Sequence, residues 1–172
     1  EYKWYNDPFE MIAEEDYDVF IELIGGDKLA YDLIKKAIKQ DKIIITANKA
    51  VIAKYGDELF KLTKQNNSKL YFDAAVGGAI PMIKLLQDDL AHNIISNIDA
   101  ILNGTANFIL SQMHDKKEDQ EIIIKKAQKL GFAEQDPTLD ITGIDAAQKL
   151  SILTALTFNQ DFSTKDINVT GI

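Results

Sequence analysis

Apolar residues in the first half of the chain form three short runs, and the segments between them have helical spacing. The runs are YDVFIELI (17–24), KIIIT (42–46) and KLYFDAAV (69–76). A nearly continuous apolar run of this length is typical of a strand covered on both faces. Apolar positions recur every three or four residues between the runs, as at Leu29, Leu33, Ala37 and Ile38, which predicts one helix there and a second over 50–67. Strands that alternate with helices predict an α/β fold, a partial doubly wound (Rossmann-type) parallel sheet with right-handed crossovers.

The pattern changes after residue 78, where Gly77 and Gly78 predict a turn. We expect a helix over 80–91, with Pro81 near its start. The remaining predicted elements are a strand over 93–103, helices over 105–115, 118–130 and 144–158, and a last strand near 166–171. This mixture predicts a second domain of the α+β class, with the domain boundary at about residue 78.

Composition limits the chemistry that the chain can carry. It has 172 residues, a net charge of −8, no cysteine and two separated histidines, His92 and His114. Disulfides, a thiol nucleophile and a zinc–thiolate site are therefore excluded. All 19 basic residues are lysines without a basic stripe, so no nucleic-acid partner is expected. No apolar run is long enough to span a membrane and no signal-peptide core is visible, which favours a cytoplasmic protein.

Two stretches that follow predicted strands could bind a ligand. In open α/β sheets, ligands bind beyond the carboxyl ends of the strands, where TANK (46–49) lies. A cation at the start of a helix opposes the helix dipole by ~0.3–1 kcal/mol, so Lys49 is either a ligand-binding group or a solvated surface lysine. In DAAVGGAIP (73–81), Asp73 and backbone carbonyls could coordinate a cation, or the segment is a plain turn.

A third stretch, ILNGTANFIL (101–110), lies between a predicted strand and a predicted helix. Thr105 either caps this helix or presents its hydroxyl to a ligand. Sequence reasoning alone leaves both alternatives open.

The stretch GFAEQDPTLDITGIDAAQK (131–149) has four carboxylates and ends in a lysine. Asp145 and Lys149 are four residues apart and share one helix face. An ion pair at the edge of a buried helix costs desolvation energy unless it has further partners. A carboxylate cluster suits a ligand with an ammonium group, and Lys149 could move a proton to or from an oxygen. A calcium loop is the rival interpretation, but the alternating oxygen ligands of an EF-hand are missing.

Four segments together resemble homoserine dehydrogenase: TANKA, AAVGGAIPMI, ILNGTANFIL and GFAEQDPTLDITGIDAAQKL, in this order over 19–172. The resemblance implies an NADP- or NAD-dependent oxidoreductase that interconverts L-aspartate 4-semialdehyde and L-homoserine in threonine, methionine and isoleucine biosynthesis. It also implies that residues 1–78 are the second half of the NAD(P)-binding domain and residues 79–172 the substrate and catalytic domain.

The same resemblance implies roles for individual residues. Lys149 transfers the proton, and Lys49 and Asp145 complete the catalytic set. The implied substrate-binding residues are Glu134, Asp140, Thr105 and Asp145. The implied cofactor-binding residues are Thr46, Asn48 and Lys49. A site for a monovalent, sodium-type cation is implied at the carbonyls of Val76, Gly78 and Ile80, with Asp73 standing where a glutamate is common.

The resemblance and the predicted strand 93–103 together indicate a homodimer, because an unpaired strand edge invites pairing. The GxGxxG turn that holds the pyrophosphate in the family does not occur in this sequence. We therefore expect a central fragment that is inactive alone. The alternatives are another amino-acid dehydrogenase of similar layout and a non-catalytic dimerisation or ligand-binding module that lacks its cofactor half.

Overall fold

A three-stranded parallel sheet organises the first half of the chain in the computed structural model, which describes residues 2–14 and 16–172. A short helix, α1 (Pro8–Ala13), precedes it and was not predicted. The remaining elements of this half are β1 (Val19–Glu22), α2 (Lys28–Ile38), β2 (Ile43–Thr46), α3 (Lys49–Gln65) and β3 (Lys69–Tyr71). The strand order is β1-β2-β3, with Val19 beside Ile43 and Ile43 beside Lys69. The predicted parallel α/β arrangement is confirmed.

Only one face of this sheet is covered within the described residues. Phe20, Ile44 and Leu70 lie on the face that packs against α2 and α3 and are buried. Ile21, Ile45 and Tyr71 on the other face are 58%, 41% and 47% exposed. The prediction of strands covered on both faces is therefore wrong for this chain, because no described helix packs on the second face.

Helices α2 and α3 form because their apolar residues fall on one side and their first turns are capped. The Asp27 side chain accepts a hydrogen bond from Lys28 N at the start of α2, and Asn48 accepts one from Val51 N at the start of α3. The core between sheet and helices includes residues of both helices, among them Leu33, Ile34, Ile38, Val51, Ile52 and Leu59.

The chain turns sharply after β3. A 3₁₀ turn (Asp73–Ala75) follows, and Gly77 and Gly78 have φ angles of 81° and 59°, which favour glycine. Helix α4 (Met82–Lys84) continues into a π-helical turn (Leu85–Asp89), so the predicted helix over 80–91 is present in part. The predicted strand 69–76 ends early because its partner β2 ends at Thr46, one residue beyond the Ile45–Tyr71 pair.

Helices dominate the second half: α5 (Gly104–Lys116), α6 (Gln120–Lys129), α7 (Thr138–Ile141) and α8 (Ile144–Phe158). The helices predicted at 105–115, 118–130 and 144–158 are confirmed, whereas α7 was not predicted. The strands predicted at 93–103 and 166–171 are wrong: neither segment joins a ladder among the described residues. A strand needs hydrogen bonds from a neighbouring strand, and no described segment supplies them.

The segment after α8 packs against the helices without regular structure. Phe162 stacks on Phe60 of α3 with ring centroids 5.3 Å apart, and its backbone N–H donates to the Asp57 carboxylate. Gly56 on α3 makes room for this ring, since a Cβ there would lie 2.6 Å from Phe162 Cγ. None of the helices in residues 2–14 and 16–172 is long and apolar enough to cross a membrane.

Candidate active site

Asp145 lies at the centre of a cluster of charged side chains in the first turn of α8. It is 6% exposed. Its Oδ2 accepts hydrogen bonds from Lys149 Nζ at 2.7 Å and Asn103 Nδ2 at 2.8 Å, and its Oδ1 lies 3.2 Å from Lys49 Nζ. One buried carboxylate therefore holds two ammonium groups that come from different helices.

Each lysine reaches Asp145 because of its position on a helix. Lys149 follows Asp145 by one helical turn, as its spacing predicted, and its Nζ also donates to the Leu102 carbonyl at 2.8 Å. Lys49 is the first residue of α3, at the carboxyl end of β2. Its ion pair with Asp145 offsets the unfavourable helix dipole. The interpretation of Lys49 as an unpaired, solvated surface lysine is therefore wrong.

The electrostatics of the cluster favour an ionised Asp145. Burial raises the pKa of this carboxyl group. The hydrogen bonds from Lys149 and Asn103, together with the positive charges of Lys149 and Lys49, outweigh that effect and hold the pKa below its ordinary value. The site therefore holds a fixed negative charge between two ammonium groups.

Asn103 connects the cluster to Asp140 of α7. Its Oδ1 caps α5 by accepting from Ala106 N at 2.6 Å, and its Nδ2 also donates to Asp140 Oδ1 at 2.5 Å. The sequence pattern did not predict a role for Asn103. The signal that identifies it is its place directly before a helix, where asparagine is a preferred cap.

Thr105, which sequence reasoning considered as a cap, lies inside the helix instead. Its hydroxyl donates to the Phe132 carbonyl at 2.6 Å and so ties α5 to the loop after α6. The capping alternative for Thr105 is therefore wrong.

Two cavities meet at Lys149. One, of about 640 Å³, lies beyond the carboxyl ends of β2 and β3, and we call it the sheet-end cavity. Its lining includes Ala47, Lys49, Ala74, Val76, Gly77, Gly78, Ile80 and Lys149. The other, of about 550 Å³, is the acidic cavity. Its lining includes Asn103, Thr105, Phe132, Asp140, Asp145 and Lys149. Lys149 therefore faces both spaces.

Thr46 and Asn48, two of the predicted cofactor-binding residues, are buried and hydrogen-bonded to the protein itself. Thr46 Oγ1 donates to Glu22 Oε2 at 2.6 Å and accepts from Asn48 N at 2.9 Å. Asn48 Nδ2 donates to the Gly26 carbonyl at 2.7 Å. Only Lys49 of the predicted three lines the sheet-end cavity. Glu22 was missed because it lies within a mostly apolar run (17–24) that was interpreted only as a strand.

Glu134 is not brought to the cluster. Its side chain is exposed, it lines neither cavity, and its backbone carbonyl accepts from Gln128 Nε2 at 3.2 Å. Its role in substrate binding stays a prediction.

The predicted cation site also stays a prediction. Val76, Gly78 and Ile80 line the sheet-end cavity, but the Ile80 carbonyl accepts from Met82 N at 2.7 Å. Asp73 Oδ1 accepts from Lys84 N at 3.1 Å. In residues 2–14 and 16–172, no three histidine, aspartate or glutamate side chains cluster in a way that could hold a metal ion, which gives the calcium-loop interpretation no support.

Comparison with known proteins assigns both halves of the chain to one family. The model of the homoserine dehydrogenase NAD-binding domain matches residues 3–73. The model of homoserine dehydrogenase matches residues 81–172. The two matches leave only residues 74–80 between them, at the turn that carries Gly77 and Gly78.

Individual relatives agree with these matches. Homoserine dehydrogenase of Neisseria gonorrhoeae is 46% identical over 166 residues, which are 96% of this chain and 38% of that protein. A crystal structure of a homoserine dehydrogenase from Thiobacillus denitrificans has a TM-score of 0.93 at 44% identity, covering 97% of this chain and 39% of that one. A hyperthermophilic archaeal homoserine dehydrogenase in complex with NADPH has a TM-score of 0.85 at 34% identity, covering 92% and 50%. The chain thus spans about 38% of the length of the curated relatives it matches, and it belongs to the homoserine dehydrogenase family.

Proposed function

We propose that the protein containing this chain interconverts L-aspartate 4-semialdehyde and L-homoserine with NADP or NAD as cofactor. The observation that carries the proposal is the position of Lys149. Its ammonium group is held by Asp145 and lies where the sheet-end cavity and the acidic cavity meet. A proton donor in this place can serve a substrate that touches a cofactor on one side and acidic groups on the other.

The sheet-end cavity fits the nicotinamide end of the cofactor. It lies beyond the carboxyl ends of parallel strands, and small residues such as Ala47, Ala74 and Gly77 leave room for a flat ring. When bound, the reduced dinucleotide supplies the hydride. The sequence contains no GxGxxG turn, so these residues do not hold the pyrophosphate by that motif.

The acidic cavity suits the amino-acid end of the substrate. Asp140 and Asp145 face it, and carboxylates attract the ammonium group of homoserine. Glu134 lies between α6 and α7, six residues before Asp140, and in this proposal it also binds the ammonium group of the substrate. Thr105 and the start of α5 form the opposite wall.

Lys149 is oriented for proton transfer. An ammonium group has three N–H donors, and Asp145 and the Leu102 carbonyl accept two of them. The third can point at the substrate oxygen. In the reductive direction, a hydride adds to the aldehyde carbon, the electron pair of the C=O double bond moves to oxygen, and that oxygen takes the proton from Lys149 Nζ. Oxidation reverses each of these steps.

The test is the Lys149→Ala variant of the complete protein, assayed by homoserine-dependent reduction of NADP and NAD. A positioned acid contributes about 10²–10⁴-fold in rate, so kcat should fall by that factor while the KM for homoserine changes less. Lys125→Ala is the matched control, because Lys125 is exposed on α6. Near-normal kcat in a folded Lys149→Ala enzyme would contradict the proposal and favour Lys49 as the donor.

The second part of the chain, residues 79–172, forms the substrate domain and carries a homodimer interface in this proposal. Its support is the segment 93–103, which joins no ladder among the described residues and in which Ile94 and Ile101 are 101% and 77% exposed, so that it could pair with a second copy. The domain boundary at about residue 78 is supported by family matches that end at 73 and resume at 81. Light scattering of the complete protein should give the mass of a dimer, and a monomer at high concentration would argue against this arrangement.

Two further parts of the proposal are a monovalent cation and a cytoplasmic location. Val76, Gly78 and Ile80 all line the sheet-end cavity, and backbone carbonyl oxygens suit a hard cation. The amino-acid biosynthetic role implied by the family fits an enzyme of the cytoplasm. Activity that is the same in sodium, potassium and large organic cations would exclude the cation.

A further inference from the structure

Glu22 is a buried acid for which the proposed reaction has no use. It is the last residue of β1, is 2% exposed, and shares the covered face of the sheet with Phe20. No ion pair to Glu22 is present within residues 2–14 and 16–172. A buried carboxylate without a cation is costly, so its hydrogen bonds must be well formed.

The Glu22 carboxylate connects the turns that follow β1 and β2. Its Oε1 accepts from Ile24 N at 2.9 Å, just before Gly25 and Gly26. Its Oε2 accepts from the hydroxyl of Thr46, its neighbour across the sheet. One side chain therefore fixes the end of each strand.

These hydrogen bonds continue to the first turn of α3. Because the Thr46 hydroxyl donates its only proton to Glu22, its lone pairs are directed to Asn48 N. The Asn48 side chain links back to the turn after β1, because its Nδ2 donates to the Gly26 carbonyl. Its Oδ1 caps α3 by accepting from Val51 N. Lys49 is the next residue, and its ammonium group lies 3.2 Å from Asp145 Oδ1.

We propose that Glu22 is a positioning residue that locks the turns after β1 and β2 together and so places Lys49 against Asp145 at the sheet-end cavity. This inference rests on the proposed function where it concerns catalysis. Its structural part, the locked pair of turns, stands independently. A glutamine at position 22 has the same shape, but one of its two terminal atoms is a donor, so either Ile24 N or the Thr46 hydroxyl loses its acceptor.

The first experiment measures the turns directly. Amide hydrogen exchange of the complete protein is compared for wild type, Glu22→Gln and Ile44→Val, the last being a control that weakens the same sheet without touching the network. The amides of Ile24 and Asn48 should exchange about tenfold faster or more in Glu22→Gln, and less so in Ile44→Val. Unchanged exchange at both amides in Glu22→Gln would overturn the inference.

The second experiment measures coupling to Lys49. We expect Glu22→Gln to lower kcat/KM for the dinucleotide about 5–50-fold. In a Lys49→Met background the same change should have little further effect, because the lysine that Glu22 positions is gone. Multiplicative effects of the two substitutions would overturn the role of Glu22 in placing Lys49. If the wild-type protein has no dehydrogenase activity, the proposed function fails, and hydrogen exchange alone decides whether Glu22 locks the turns.

Discussion

Asp145 acts on two lysines at once, and this sharing determines how the site responds to the loss of any one group. Its carboxylate accepts from Lys149 and faces Lys49 in a largely buried position. Removing one partner of a buried pair leaves the other desolvated and unpaired, which costs ~3–5 kcal/mol. Without Asp145, two ammonium groups would face each other across the space that it occupies.

The lowered pKa of Asp145 predicts how stability depends on pH. The folded-state pKa lies below the ordinary value of 3.8, so the folded protein binds fewer protons than the unfolded chain in this range. The stabilisation is therefore complete above the ordinary pKa and is lost as the pH falls through the folded value. Asp145→Asn should lower Tm strongly at pH 7, and its difference from wild type should shrink below about pH 4.

The measurement is Tm of both proteins between neutral and acidic pH. Asp27, Glu58 and Glu118 also have lowered pKa values through hydrogen bonds to lysines, but they are present in both proteins and cancel in the comparison. A Tm difference that stays constant down to pH 3 would show that the charge of Asp145 contributes nothing to folding.

A contact between two side chains can be predicted from the sequence when the two residues lie one helical turn apart. Asp145 and Lys149 are such a pair, and their hydrogen bond follows from helix geometry. Asn103 and Glu22 were not predicted, because their partners Asp140 and Thr46 are 37 and 24 residues away. Spacing in the sequence carries no information about such contacts until the fold is known.

At the scale of elements, the segment after α8 is held by side-chain fit rather than by a hydrogen-bonded ladder. Phe162 lies against α3 at Gly56, where the ring occupies the space of a missing side chain. The stacked Phe60 and the Asp57 carboxylate complete the contact. The glycine therefore has a packing role, although it weakens the helix itself.

Gly56→Ala should destabilise the protein when Phe162 is present and stabilise it when Phe162 is replaced by alanine. In wild type, a Cβ 2.6–2.9 Å from the Phe162 ring overpacks the contact and should destabilise by about 1–3 kcal/mol. In a Phe162→Ala background the space is empty, and the higher helix propensity of alanine should stabilise by up to about 1 kcal/mol. Thermal unfolding of the four proteins measures both effects. A stabilising Gly56→Ala in the presence of Phe162 would show that the ring does not press on α3.

Helices were predicted more successfully than strands for a physical reason. The hydrogen bonds of α5, α6 and α8 are local, so apolar spacing and end signals within each segment suffice. The segments 93–103 and 166–171 have strand-like composition, but a strand exists only where a partner does. The short helix α7 was missed because four residues carry too little periodicity.

At the scale of the whole molecule, two features of the chain concern the proposed binding of a dinucleotide. Its parallel sheet has an apolar face with Ile21, Ile45 and Tyr71 exposed, whereas such sheets are ordinarily covered on both faces. In the proposed function its sheet-end cavity takes only the nicotinamide end of the dinucleotide, and the sequence has no GxGxxG turn for the pyrophosphate. Both features indicate that dinucleotide affinity depends on more than these residues.

The 172-residue chain alone should therefore bind NADPH weakly, with a Kd above about 1 μM, because its sequence has no GxGxxG turn to hold the pyrophosphate. Calorimetric titration measures this, with the complete protein titrated in parallel. Circular dichroism and a cooperative Tm first establish that the chain is folded, so that weak binding is not a trivial result. Submicromolar affinity in the isolated chain would refute the prediction.

Because Lys49 and Asp145 are far apart in the sequence, their ion pair can form only late during synthesis on the ribosome. Neighbouring strands of the sheet are about 25 residues apart, so β1, β2 and β3 can pair soon after they emerge. Asp145 emerges roughly a hundred residues after Lys49, which is about 5–20 s at the usual rate of ~5–20 residues per second. Until then, the lysine at the start of α3 has no counter-charge from α8. The sheet and the start of α3 can thus form first, and the charged cluster at Lys149 is completed only when α8 has been synthesised.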